Sequence, residues 1–279
     1  MVIIVESGAT KTDWRSVAQD GTIRAVQTAG MNPSCVGPEG LNDIVREAIP
    51  VLNPDGKTVR SVFFYGAGLV SQAMTAPLED AMSLWCPFAQ VEFHSDLLAA
   101  ARALFGDDNG IAAIMGTGSN SCLYEDGKIV GNIRPGGYVL GDEGSGASVG
   151  KVLLSDFIKG MLPAHIECEF VERFGLDYAG IVQKVYREPA PSAFMASFAP
   201  FVLEHSDDPY IRSLLETCLE SFVARSLSRY ERSGYSVGVV GSFGCACEGI
   251  LREIGARYGL TFSRFIKSPI DQLVQYHGI

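Results

Sequence analysis

The sequence predicts an α/β protein made of two related α/β halves. Three observations carry this. Short apolar runs rich in β-branched residues alternate with stretches of helical spacing along most of the 279 residues. The pattern strand, Gly/Thr loop, strand opens the chain and returns after residue 110. Four glycine-rich loops, at 6–12, 66–68, 116–120 and 241–244, each follow an apolar strand. Ligands of α/β sheets gather at such carboxyl ends, so the loops point to a nucleotide cleft between the two halves.

The elements follow in order. Residues 2–5, 13–18 and 23–28 read as an antiparallel meander with Asp20-Gly21 at a turn. Leu41, Ile44, Val45, Ala48 and Ile49 give helical spacing over 38–52. Strands are expected at 59–65 and 91–94, and helices at 72–84 and 97–105, the last stopped by Gly106. Asp107-Asp108-Asn109-Gly110 marks the expected boundary of an N-terminal domain, 1–110. The second domain, 111–266, repeats strand, loop and hairpin, with Glu125-Asp126-Gly127 at the hairpin turn. Leu140-Gly141-Asp142-Glu143-Gly144-Ser145-Gly146 opens a helix to about Lys159, and 165–233 reads as a helical insertion. A strand at 237–240, a helix from about Ala246 to Tyr258 and a strand at 261–265 follow. The last helix, within 267–279, is expected to complete the first domain.

A net charge of −10 argues against nucleic acid as the main partner, because a phosphate backbone needs a basic face. One local loop and a metal can still neutralise a nucleotide. The seven cysteines form no C-x-x-C pair and lie near no His in ligand spacing, which suggests reduced thiols and a cytoplasmic protein. Cys245 and Cys247 read as small packing residues. No run of eighteen apolar residues and no basic, cleavable leader is seen, so neither a membrane span nor a signal peptide is expected.

The first loop, Ser7-Gly8-Ala9-Thr10-Lys11-Thr12-Asp13, offers backbone N–H groups, hydroxyls and one cation, the inventory that binds phosphate. A surface β-turn has the same composition. Asp96, in His94-Ser95-Asp96, reads on its own as the N-cap of helix 97–105, worth ~1 kcal/mol. Asp142 and Glu143 read as acidic residues at a helix start, where the dipole favours them.

Taken together these motifs resemble the acetate kinase, sugar kinase, Hsp70 and actin superfamily. More closely the chain resembles the N-acetylglucosamine kinase family, grouped with the activating ATPases of benzoyl-CoA reductase. SGATKTD resembles the first phosphate loop, MGTGSNS the second and VVGSFG the adenosine loop, and GDEGSG is a hallmark of the family. The resemblance covers almost the whole chain. It implies two ribonuclease H-like domains of the actin-like ATPase fold, with ATP and Mg²⁺ between them, a small sugar as substrate and a homodimer.

The resemblance also implies roles. Thr10, Lys11 and Thr12 match the first phosphate loop, Gly116, Thr117 and Gly118 the second, and Gly241, Ser242 and Gly244 the adenosine loop. Asn32, Ala67, Gly68, Gly136, Gly137 and Asp142 match sugar contacts, although the tryptophan of the family's Gly-Trp-Gly is absent here. Asp96 stands at the position of the catalytic base. Glu6 replaces the aspartate that holds hydrated Mg²⁺; Asp13 is near it, with a strand-surface role as the simpler reading. The activating ATPases carry Gly-Gly-Gln-Asp in the second loop where this chain has Gly-Thr-Gly-Ser-Asn, and the zinc cluster of ROK kinases is missing. The expected function is ATP-dependent phosphorylation of an amino sugar. The alternatives are an ATPase that activates a partner enzyme and a sensor of sugar or nucleotide without turnover.

Overall fold

The structure, a computed structural model, describes every residue except Ala9, Val70, Arg232, Ser233 and Ile279. Ala9 of the first loop and the end of the expected helical stretch 165–233 therefore lie outside the described residues. The chain divides into two units. One comprises Met1–Asp108, Asp126–Lys128 and Ser268–Ile279; the other comprises Asn109–Glu125 and Ile129–Lys267.

In the first unit, strands β1 (Val2–Ser7), β2 (Lys11–Val17) and β3 (Ile23–Ala29) form the antiparallel meander. Helix α1 (Pro38–Leu52), strand β4 (Ser61–Gly66), helix α2 (Gln72–Trp85), strand β5 (Gln90–Ser95) and helix α3 (Asp96–Phe105) follow. The sheet order is β3-β2-β1-β4-β5. β1 is central and covered on both faces, which is why its run is apolar without alternation. Ile3 and Val5 pack with Val62, Phe64 and residues of α1 and α2, and Ile4 packs with Tyr65, Ala99 and Leu273 on the other face. Strands β1, β4 and β5 run parallel, and their register aligns Ser7, Gly66 and Ser95 in one row. Three of the expected ligand segments of this unit, those after β1, β4 and β5, thus begin at one sheet edge.

The returning C-terminal segment is held on this sheet by packing and by one polar cluster. The Tyr65 hydroxyl accepts from Arg102 Nη1 at 2.7 Å and lies 2.8 Å from His277 Nε2. The His277 ring stacks on Phe63 at 3.7 Å. Burial pulls the His277 pKa down to about 4, so the ring is neutral at pH 7.

The second unit opens with β6 (Gly110–Met115), β7 (Ser119–Glu125) and β8 (Lys128–Gly131). Helices α4 (Gly137–Leu140), α5 (Gly146–Ile158), α6 (Ala164–Phe174), α7 (Tyr178–Tyr186), α8 (Pro191–Ala196), α9 (Ala199–Glu204) and α10 (Pro209–Arg225) come next. Strand β9 (Val237–Val240), helices α11 (Ser242–Ala246) and α12 (Glu248–Arg257) and strand β10 (Phe262–Ile266) complete it; α13 (Ile270–Tyr276) is the helix that returns to the first unit. The order β10-β9-β6-β7-β8 repeats the plan of the first sheet: an apolar strand antiparallel to its successor and parallel to a later one. The aromatic residues of the helical stretch form core, with Phe170 5.6 Å from Phe198 and 4.9 Å from Phe174.

Two local expectations change. The helix expected from about Ala246 already begins at Ser242 and breaks at Cys247, so Ser242 and Gly244 belong to a helical turn. α4 gave no sequence signal, because Gly136-Gly137 reads as a breaker, yet their left-handed φ values of 77° and 70° lead straight into it.

Helices α5 and α8 cross where α5 has only glycine. A Cβ on Gly150 would stand 1.9 Å from the carbonyl oxygen of Met195, a contact that only backbone movement relieves. Gly150→Ala is expected to destabilise the protein by about 1–3 kcal/mol despite alanine's better helix propensity. A urea melt checks this; an unchanged midpoint would show that the two helices are not pinned here.

Candidate functional site

At the carboxyl edge of the first sheet, Ser7 is a hub. Its hydroxyl accepts from Met31 N at 2.9 Å and bonds the Thr12 hydroxyl at 2.9 Å, and Thr12 Oγ1 donates to the Ala29 carbonyl. Since the Thr12 proton goes to Ala29, Ser7 is the donor to Thr12. The Ser7 carbonyl accepts from Ala67 N, and Gly8 N donates to the Lys11 carbonyl. Two of the loop hydroxyls are therefore used to build the loop. Thr12 is fully buried, while Thr10 and Lys11 are exposed. The Lys11 ammonium lies 2.8 Å from Asp13 Oδ2.

Asp13 is not the strand-surface residue expected. It is buried and accepts from both Lys11 and Gln27, whose bonds outweigh the cost of burial and hold its carboxyl below the usual value. Glu6 is its cross-strand neighbour. Burial first, then the Asp13 charge, push Glu6 up to about 7; Lys11 opposes and Asp96 adds to the rise. Asn32, Ala67 and Gly68 are brought together at the same edge. Gly68 has φ 79°, and a Cβ there would stand 2.9 Å from Asn32 Oδ1. Only glycine leaves that amide its place.

Asp96 is the first residue of α3, not its cap. Ser95 takes the cap, its hydroxyl accepting from Leu98 N, while Asp96 Oδ1 accepts from Leu97 N at 2.8 Å. Burial raises the Asp96 pKa against that bond. A cavity lined by Met1, Ala18, Asp20, Lys57 and Arg60 lies at the amino end of β1, away from all these groups.

In the second unit the second and fourth loops adjoin. Gly116 N donates to the Gly118 carbonyl in a tight turn, and a Cβ on Gly241 would stand 2.2 Å from the Met115 carbonyl. Gly241 thus sits against Met115 and Gly116, and Gly244 against Met115, the residue that leads into Gly116, Thr117 and Gly118. The segment 141–147 is laced to the same turn: Gly146 N to Gly116 O, Ala147 N to Thr117 O, and Ser119 Oγ to Glu143 O at 2.7 Å. The Asp142 carboxylate accepts from the Ser119 N–H and occupies the space over Gly118, where a Cβ would meet Oδ2 at 2.9 Å. Asp142 N donates to Pro135 O, which ties exposed Gly136 and Gly137 to this group. Asp142 and Glu143 stand ahead of α5, whose cap is Ser145, so the helix-start reading of these acids is corrected. The left-handed φ of Asp142 (53°) and Gly144 (68°) keeps residues 142–144 out of the helix.

Ser7, Ser95 and Ser119 were missed as builders of the site. Only Ser95, three residues ahead of the amide it caps, left a sequence signal. Among the described residues no group of three or more His, Cys, Asp or Glu side chains is placed to hold a metal ion directly. The seven cysteines are free thiols, with Cys247 in the core, and no described helix is long and apolar enough to cross a membrane.

A buried carboxylate with a raised pKa costs stability once it ionises. Between about 4.5 and about 7 the unfolded chain holds fewer protons on Glu6 than the native one, so its contribution to stability falls as pH rises through that window. Glu6→Gln is expected to melt like the wild type at pH 5 and to be more stable at pH 8, by up to ~3 kcal/mol. Thermal melts at the two pH values check it; equal melting of both proteins at pH 8 would refute it.

No protein-family model and no curated protein matches the chain. Solved structures do. A candidate N-acetylglucosamine kinase from Porphyromonas gingivalis is 38% identical over 99% of this chain and 98% of its own, with a TM-score of 0.94. A candidate N-acetylglucosamine kinase from Chromobacterium violaceum is 22% identical over 99% and 98%, with a TM-score of 0.76. A ROK family glucokinase from Streptomyces griseus, solved with glucose and AMPPNP, is 16% identical over 99% and 97%, with a TM-score of 0.61. The last two show the shared fold, that of the actin-like ATPase sugar kinases. The first, matching at this identity over nearly its full length, shows more: the chain belongs to the N-acetylglucosamine kinase-like family of the actin-like ATPase and sugar kinase superfamily.

Proposed function

We propose that the protein transfers the terminal phosphoryl group of ATP to a hydroxyl of an amino sugar, N-acetylglucosamine or a close relative. The placement of Asp96 carries this reading. It stands at the carboxyl end of β5, next in the sheet to β4, whose end leads into Ala67 and Gly68. Ser95 already caps the helix, so the N-cap role does not account for the half-buried Asp96 here. Burial raises its proton affinity, which makes it a better base than an exposed carboxylate. The likeness to a candidate kinase of the same sugar supports the substrate class, and AMPPNP in a fold relative supports ATP as donor.

In this reading the acceptor hydroxyl gives its proton to the Asp96 carboxylate as its oxygen bonds to the γ-phosphorus. The bond from that phosphorus to the bridging oxygen breaks, and ADP leaves. Asn32, Ala67 and Gly68 in the first unit, and Gly136, Gly137 and Asp142 in the second, are the proposed sugar contacts. Thr10 and Lys11 offer an exposed hydroxyl and a cation to phosphate, with Thr12 shaping the loop behind them. Gly116, Thr117 and Gly118 offer backbone groups, and Gly241, Ser242 and Gly244 border the adenosine. Lys11 is held beside Asp13, so its charge is in place before nucleotide arrives. Glu6 fits a hydrated Mg²⁺, held through water, because its half-buried charge beside Asp13 is one a cation would relieve. When bound, Mg²⁺ offsets charge on the phosphoryl oxygens.

ADP release with Mg·ATP, measured against a panel of amino sugars and neutral hexoses, tests the reading. Release is expected to require one amino sugar and to fall by on the order of 10²–10⁴ in Asp96→Asn. Because the Asp96 pKa is raised and the base must be ionised, kcat/KM is expected to fall on acidification with an acid limb above the ordinary 3.8. Sugar-independent release, or ATP binding without any release, would overturn it.

A further inference from the structure

One ion pair in the second unit bears on the proposed sugar contact without belonging to it. Arg225, in the last turn of α10, places Nε 2.8 Å from Oε1 of Glu143. Glu143 lies between two left-handed residues, Asp142 and Gly144. Gly144 is pressed onto the same helix: a Cβ there would stand 2.7 Å from the Cβ of Phe222 and 3.5 Å from the Cys218 carbonyl. On the other side the Glu143 carbonyl accepts from Ser119 Oγ. Residues 142–144 are therefore gripped between β7 and the end of α10. An aspartate keeps a left-handed backbone only where its surroundings hold it there.

We propose that Arg225 is a positioning residue for Asp142: by holding Glu143 it fixes both the orientation and the charge environment of the carboxylate offered to the sugar. This rests on the reading of Asp142 as a sugar contact. The groups that face Asp142 are Glu143, Lys151 of α5 and the Ser119 N–H. Burial raises its carboxyl, Glu143 adds to the rise, and the Ser119 N–H and Lys151 oppose it. Arg225 partly neutralises Glu143. Without the guanidinium the Glu143 charge acts in full and Asp142 becomes harder to ionise. Without the Glu143 charge it becomes easier. A tie that served only folding would move both variants the same way or neither.

The test titrates the Asp142 side-chain carboxyl by ¹³C NMR in the full chain, its signal assigned by its loss in Asp142→Asn. Wild type, Arg225→Leu, Arg225→Lys and Glu143→Gln are compared. The expected shifts are upward in Arg225→Leu and downward in Glu143→Gln, each by roughly half a pH unit, with Arg225→Lys close to wild type. In parallel, the KM for the sugar is expected to rise roughly threefold to fivefold in Arg225→Leu with kcat little changed. Shifts in one common direction, or none, overturn the proposal. The titration needs no turnover, so a wild type without sugar-dependent activity would sink the kinase reading and leave this result to stand or fall by itself. If Arg225→Leu does not fold, Arg225→Gln takes its place, with the same upward shift expected and the same result overturning the proposal.

Discussion

A strand buried on both faces can carry polar groups only where it ends. Ile3, Ile4 and Val5 are fully buried, and the chain turns polar at Glu6 and Ser7, where β1 reaches the sheet edge. Beyond Ser7 the ladder stops, and the backbone that follows must find partners locally. Ser7 supplies them, taking Met31 N on its hydroxyl and Ala67 N on its carbonyl, with Thr12 locked beneath. This small network joins the ends of β1, β3 and β4. The positions of Lys11, Asn32 and Gly68 follow from it.

The second unit meets the same constraint with different chemistry. Its central strand β6 is apolar up to its end at Met115, and Gly116 follows it. Here backbone groups of 146 and 147 come in from another segment to satisfy Gly116 and Thr117. Serine again makes the side-chain link, Ser119 to the Glu143 carbonyl. In both units a serine beside the turn fixes the loop, and the residues with charge stand on top of what it fixes.

Much of this was readable in advance because it rests on periodicity and punctuation. The strands and most helices follow from apolar spacing, and the four loops from glycine after an apolar run. The rest depended on contacts between residues distant in sequence. Asp13 looks like an ordinary strand residue until Lys11 and Gln27 close on it. The role of Ser95 was masked by the neighbouring Asp96, which has the same capping propensity. Asp142 and Glu143 looked like a helix start because their composition is that of one; a left-handed backbone set by packing onto Phe222 decided otherwise. For Asp13, Asp142 and Glu143, local propensity lost to a tertiary constraint.

The acids of the first unit show why fixed geometry matters for function. Glu6, Asp13 and Asp96 share one region, yet their environments separate them. Asp13 has a cation and an amide donor and stays ionised. Glu6 feels Lys11 only through its charge, lies beside Asp13 and holds a proton near neutrality. Asp96 is raised by burial, with Leu97 N–H as the opposing bond. Had Lys11 been free of Asp13, only the Gln27 amide and the charge of Arg15 would be left to stabilise the Asp13 carboxylate beside Glu6. The Lys11–Asp13 bond therefore serves the region as a whole: it keeps one acid charged, and that charge helps hold the proton on its neighbour.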